Sequence, residues 1–218
     1  WVTKEFPNQP AANREQVRQW ILDNPQAKCF SSHTALLPPP NIEEITIIPI
    51  IFMRQPIDRI VSAYLFERKQ KVENFGATLA KHTDLKGYVH TRLMLPGDKQ
   101  CKNFHVERFS STQNLTPKDK LENAIQNIKS LPFVGIVEKF SESLEKLNIL
   151  MESNGFPSLN INLDRKNTTR DQSLTLEKKI TDAKESLGPK VWDILLKANN
   201  EDLRLYDYVN EIFQDSTI

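Results

Sequence analysis

Arg54 and Ser62 are the pair whose types and spacing could do chemistry. They follow Glu44–Met53, a β-branched, almost unbroken apolar run. Such a run predicts a strand buried on both faces, as in a parallel sheet covered by helices. Arg54-Gln55-Pro56 ends it, and the apolar spacing then turns helical at Ile57, Ile60, Val61, Tyr64 and Leu65. In α/β sheets ligands gather at the carboxyl ends of strands, so Arg54 stands where an anion would bind. Its guanidinium offers a planar fork of donors matched to phosphate. A serine hydroxyl eight residues later, on the following helix, can donate to the same anion. Taken on spacing alone, a surface arginine and an ordinary helix serine are the competing reading.

Other chemistries find little support. The six glycines form neither GxGxxG nor GxxxxGK[ST]. Cys29 and Cys101 are far apart and belong to no CxxC or zinc spacing. They read as unpaired thiols, with a single disulfide left open, and no metal is expected. Three of the four histidines, His82, His90 and His105, lie in a polar middle stretch and read as surface or substrate-side residues. Twenty-nine Lys and Arg against 28 Asp and Glu give a net charge of +1, which excludes the simplest, strongly basic nucleic-acid binder. The longest apolar run, Ile45–Met53, is interrupted by Pro49 and is about half the ~18 residues of a membrane span. No signal peptide is visible. The triplets Asn114-Leu115-Thr116 and Asn167-Thr168-Thr169 match a glycosylation pattern that arises often by chance.

The elements that must position Arg54 and Ser62 follow from periodicity. A short helix is expected over Asn13–Leu22, stopped by Asn24-Pro25, then a short strand over Ala27–Phe30 and a polyproline connector at Pro38-Pro39-Pro40. Residues 67–112 predict short helices. Thr116-Pro117 opens a helix as N-cap and first residue. Pro132–Val137 is a second buried strand. Ser141 is expected to cap the next helix, which Gly155 closes. A polar, basic loop spans Asn160–Asp171, and three helical segments follow around 173–187, 189–198 and 200–213. Buried strands alternating with helices predict an α/β domain, residues 1–218 as one unit, with a central, mostly parallel sheet.

The wording of these segments resembles one family. Arg54-Gln55-Pro56-Ile57-Asp58-Arg59-Ile60-Val61-Ser62-Ala63-Tyr64 is similar to the R-D-P-x-x-R-x-x-S-x-Y motif with which sulfotransferases bind the 3′-phosphate of 3′-phosphoadenosine 5′-phosphosulfate (PAPS). Gln55 replaces the usual Asp. Ser31-Ser32-His33-Thr34 resembles the family's His segment. Thr91-Arg92-Leu93 with Pro96-Gly97 resembles a T-R-x-L-x-G stretch of carbohydrate-type members, though Tyr88 departs from an Asn often found before it. Phe133–Phe140 resembles F-V-G-x-x-E-x-F, Asn167–Arg170 the nucleotide-covering loop, and Asp202–Tyr208 the D-x-x-L-Y-x-Y/F near the end. The resemblance spans roughly residues 28–213.

It implies a P-loop-type three-layer fold and PAPS-dependent transfer of a sulfuryl group to a hydroxylated small molecule or glycan, with no metal and no nucleic acid. It also implies nucleotide contacts at Arg54, Ser62, Arg92 and Arg170. Arg59 is expected to support the helix or the phosphate's surroundings. His33 is the expected general base, because histidine titrates near neutrality. Glu138, after the second strand, could orient a neighbour. The family's 5′-phosphosulfate loop, K/R-x-G-S/T-T, has no counterpart in the roughly 30 residues before His33, so it is expected upstream of Trp1. A cytoplasmic location is expected, with a Golgi-lumen protein the alternative if an anchor precedes Trp1. The alternative function is a catalytically inert nucleotide-binding or interaction domain of this fold.

Overall fold

A computed structural model describes residues 4–7, 9–110, 116–157 and 174–215. They form a helix-dominated structure with a small parallel sheet. Two compact units emerge, one of residues 1–51 and 106–134, the other of 52–105 and 135–218.

In the first unit, α1 (Pro10–Leu22) starts on a proline at its first turn, where the missing N–H costs nothing. Trp20 from α1 packs its ring 5.4 Å from Phe6 and 5.0 Å, edge-on, from Phe30. The predicted strand at 27–30 does not form; those residues hold no regular element but supply this aromatic contact. α6 (Pro117–Lys129) starts as expected, Thr116 accepting from the Asp119 N–H through its hydroxyl, and buries Leu121, Ala124 and Ile128.

The expected strands are shorter than their apolar runs. β1 is Ile51–Met53 and β2 is Val134–Ile136, and the two are hydrogen-bonded neighbours. Residues 46–50 hold no strand, and Ile45 and Ile50 are exposed. Pro49 removes a ladder donor in mid-run. At its start the chain turns back, Ile42 and Ile45 forming an isolated antiparallel bridge with Glu44 at φ 62°. The expectation of a strand buried on both faces over 45–53 is therefore corrected to a three-residue strand.

In the second unit, α2 (Pro56–Lys69) is the central helix. It buries Ile57, Ile60, Val61 and Tyr64 against Ala80 of α3 (Phe75–His82), Tyr88, Val89 and Leu93 of α4 (Leu85–Met94), and Leu187, Val191 and Leu195 of α8 (Leu176–Ala198). α3 and α4 are capped by Asn74 and Asp84, each accepting from the N–H three residues on. A short helix, α5 (Phe104–Phe109), follows. α7 (Phe140–Ser153) begins one residue before Ser141, with Lys139 in the cap position. Ser143 holds α7 to β2 instead: its buried hydroxyl accepts from the Ile136 N–H at 2.9 Å and faces the Ile136 carbonyl at 3.1 Å. Gly155, at φ 77°, closes α7 as expected. α8 kinks at Gly188 (φ 70°) followed by Pro189, where the sequence breaks its helical pattern. α9 (Asn200–Asp215) ends the described chain.

The two cysteines are free thiols, Cys29 exposed and Cys101 buried. Burial pushes the Cys101 thiol up to about 12. At pH 8 the thiol is then almost wholly protonated, which makes it a poor nucleophile. Iodoacetamide at pH 8 should label Cys29 in the folded protein and Cys101 only after denaturation, as read by peptide mass spectrometry. Comparable labelling rates in the folded protein would contradict the burial.

Candidate active site

The turn between β1 and α2 carries Arg54. The Gln55 side chain accepts from the Asp58 N–H at 2.9 Å and so caps α2. The cap thus falls at the position where the family motif has Asp, a residue type common at helix N-caps. Asp58, 3% exposed, in turn holds Arg54: Nε and Nη2 converge on its Oδ2, at 2.6 and 2.5 Å. Arg54 keeps 26% of its side chain exposed, with its Nε and Nη2 edge turned to Asp58. Asp58 and Ser62 are four residues apart on α2, one turn up the same face. Arg54 and Asp58 thus meet at the start of α2, where the dipole favours negative charge, and Ser62 lies a further turn into the helix. Arg59 turns elsewhere. It donates to the Gln100 carbonyl and side chain and lies 4.1 Å over the Phe104 ring. Burial lowers its pKa.

His33 belongs to the first unit, on the tip of a tightly tied turn. Thr34 accepts from the Phe6 N–H through Oγ1 at 2.6 Å, and Ser32 donates to the Lys4 carbonyl at 2.7 Å. Asn13, fully buried on α1, donates to the Pro7 and Thr34 carbonyls and accepts from the Leu36 N–H. Ser32 Oγ also accepts from the Thr34 and Ala35 N–H groups. His33 itself is exposed. The backbone is held from several sides while the imidazole is presented to solvent.

Arg92 sits in a buried ion network of the second unit. Nη2 donates to Glu67 at 2.8 Å and Nη1 to Asp98 at 2.7 Å, with the guanidinium 4.8 Å over the Tyr88 ring. The Tyr88 hydroxyl and the Gln100 side chain also donate to Glu67. Burial works against the Arg92 charge, but Tyr88, Glu67 and Asp98 outweigh it and raise its pKa. Burial pushes the Tyr88 phenol up. A side chain at Gly76 would collide with Arg92 and Glu67, so α3 approaches the network only because position 76 has no Cβ. Arg170 and the loop Asn167–Arg170 lie outside the described residues.

Sequence reasoning missed Asp58 as Arg54's partner, although the four-residue spacing at a helix start was a usable signal. Glu67 and Asp98 carried no such signal, since Glu67 lies 25 residues from Arg92 in sequence. Glu138, raised as an orienting group, follows β2 and accepts from the Gln55 N–H at 2.9 Å through Oε1 and from the Tyr206 hydroxyl at 3.0 Å through Oε2. His82 and His90 are exposed, while His105 is buried beside Asp202. Among the described residues no group of three or more His, Cys, Asp or Glu could hold a metal ion, and no helix is long and apolar enough to cross a membrane.

A protein of Archaeoglobus fulgidus, described only as uncharacterized, is 38% identical over 226 residues, covering 99% of this chain and 87% of that protein. No solved structure matches the chain. A model of the sulfotransferase family matches residues 23–209, from the end of α1 through the Arg54 turn and β2 into α9. The chain belongs to the sulfotransferase family.

Proposed function

We propose that the protein transfers a sulfuryl group from PAPS to a hydroxylated acceptor, a glycan or a related small molecule, and that the Arg54 turn receives the donor's 3′-phosphate. The observation that carries this reading is Arg54 at the end of β1, oriented by Asp58 at the start of α2, with Ser62 one turn beyond Asp58 on that helix. The donor set suits a phosphate: a guanidinium fork and a serine hydroxyl, beside a helix N-terminus whose dipole favours an anion. Arg170 is proposed to join it from the loop at 167–170. Arg92 is assigned to the nucleotide by resemblance, and any such contact has to compete with Glu67 and Asp98 for the same two nitrogens. The family match over 23–209 supports taking the chain as one sulfotransferase-like domain of the three-layer, P-loop type, with β1 and β2 in its central sheet.

In the proposed step the acceptor oxygen attacks sulfur in line. The bond from sulfur to the 5′-phosphate oxygen breaks, and its electron pair leaves with adenosine 3′,5′-bisphosphate. His33 takes the hydroxyl proton as general base. Arg54 and Ser62 fix the nucleotide so that sulfur meets the acceptor, a positioning contribution. The reading is tested by incubating the full-length protein with sulfur-labelled PAPS and a panel of glycan and small-molecule acceptors. Label should pass to at least one hydroxylated acceptor, with one bisphosphate released per transfer. Tight nucleotide binding without transfer to any acceptor would favour the inert domain.

Arg54→Ala should weaken adenosine 3′,5′-bisphosphate binding by roughly 10- to 150-fold, the worth of one charge-assisted phosphate contact. Adenosine 5′-phosphate, which lacks the 3′-phosphate, should be nearly indifferent to the change. Calorimetry with both ligands checks this, and equal losses would make Arg54 a support of the fold instead.

A further inference from the structure

We propose that Glu138 is a positioning residue that sets the Arg54 turn for the 3′-phosphate, and that Tyr206 locks it in place from the C-terminal helix. This rests on the reading of Arg54 and Ser62 as phosphate contacts. The Gln55 N–H belongs to the peptide that joins Arg54 to Gln55, so a bond to it fixes the direction in which the Arg54 side chain leaves the strand. Glu138 supplies that bond from 83 residues away in sequence, at 2.9 Å. Its other oxygen accepts from Tyr206, 68 residues away, at 3.0 Å. Two bonds to a carboxylate are stronger and more directional than neutral ones.

The contacts run in series. Tyr206 holds Glu138, Glu138 holds the Gln55 amide, the Gln55 side chain caps Asp58, and Asp58 holds Arg54. Both ends are anchored. Ser143 bonds to Ile136, just before Glu138 in the chain, and Lys146 donates to the Phe213 carbonyl at 2.8 Å, fastening α9 to α7. A carboxylate behind an anion site repels the anion unless donors engage it, and here each of its oxygens has one. Burial pushes the Tyr206 phenol up, so its hydroxyl stays protonated and able to donate.

The test uses the full-length protein and its variants Glu138→Ala, Glu138→Gln and Tyr206→Phe, titrated with adenosine 3′,5′-bisphosphate and with adenosine 5′-phosphate. Glu138→Ala should weaken the bisphosphate about 10-fold and the monophosphate less than about 2-fold, since the bond to the Gln55 amide is charge-assisted. Glu138→Gln keeps an oxygen for the Gln55 amide and should recover most of that loss. Tyr206→Phe should cost about 3-fold, and the Glu138→Ala/Tyr206→Phe double variant should be no weaker than Glu138→Ala alone, because both act through one side chain. Amide hydrogen exchange at Gln55 should speed up in Glu138→Ala and stay slow in Glu138→Gln, a readout independent of ligand. Glu138→Ala with wild-type bisphosphate affinity, in a wild type that prefers bisphosphate, overturns this inference and leaves the Arg54 site standing. Equal losses for both nucleotides with a lowered Tm also overturn it, in favour of a purely structural bond. A wild type that does not distinguish the two nucleotides overturns the phosphate site and this inference together.

Discussion

His33→Ala should cut sulfuryl transfer by roughly 10²–10⁴-fold, the usual worth of a positioned general base, while leaving bisphosphate affinity almost unchanged. The expectation follows from how the side chain is held. Bonds from Ser32, Thr34 and Asn13 fasten the backbone on either side of it, yet the imidazole is exposed. A fixed backbone with an exposed ring is what a proton acceptor requires, because the base must come within hydrogen-bond reach of the acceptor hydroxyl. Packing does not need the ring, so its removal should leave the thermal midpoint of the protein nearly where it was. Rate, affinity and Tm measured on the same preparation separate the roles. Near-normal turnover would remove His33 from the chemistry and move the search to His90, also exposed, on α4.

Arg92→Ala should destabilise the fold by about 3–5 kcal/mol, the penalty for breaking a buried charge pair by deleting one partner. Arg92 is 7% exposed and stands between Glu67 and Asp98. Its loss leaves two carboxylates, themselves mostly covered, without their cation. The Tyr88 and Phe75 rings also lose the guanidinium that lies over them. Chemical denaturation gives the number directly. A double-mutant cycle with Glu67→Ala should return a large coupling energy, since the two side chains share one bond. A loss under 1 kcal/mol would mean that the network is not load-carrying and would free Arg92 for a nucleotide contact. Bisphosphate affinity measured well below the variant's Tm reports that contact separately.

The local grammar of the chain was readable. The change from β-branched run to helical spacing at Pro56 located Arg54 and α2, Thr116-Pro117 located the start of α6, and the break between the helical segments ending at 187 and starting at 189 located the kink in α8. Each of these signals acts within a few residues, through a cap, a fixed φ or a missing N–H. What could not be read was tertiary. The run at 45–50 has the composition of a buried strand, but a strand is made by its neighbours, and the turn at Ile42–Ile45 and Pro49 leave only Ile51–Met53 paired. Arg92 is given to the nucleotide by resemblance alone, and nothing in its own helix shows that Glu67 and Asp98 hold it. Glu138 was visible as a charged residue after a strand, yet its two partners come from opposite ends of the second unit's sequence. Over 67–112 the sequence pointed to short helices without giving the bounds of α3 and α4. Their caps, Asn74 and Asp84, were legible signals that periodicity alone passes over.

The position of the 3′-phosphate in a crystal structure of the full-length protein with adenosine 3′,5′-bisphosphate is the most direct test of the Arg54 site. Phosphate oxygens should lie within about 3 Å of an Arg54 guanidinium nitrogen and of Ser62 Oγ, ordinary distances for charge-assisted bonds. A bisphosphate bound with its 3′-phosphate away from both residues, and Arg54 still directed wholly at Asp58, would contradict it.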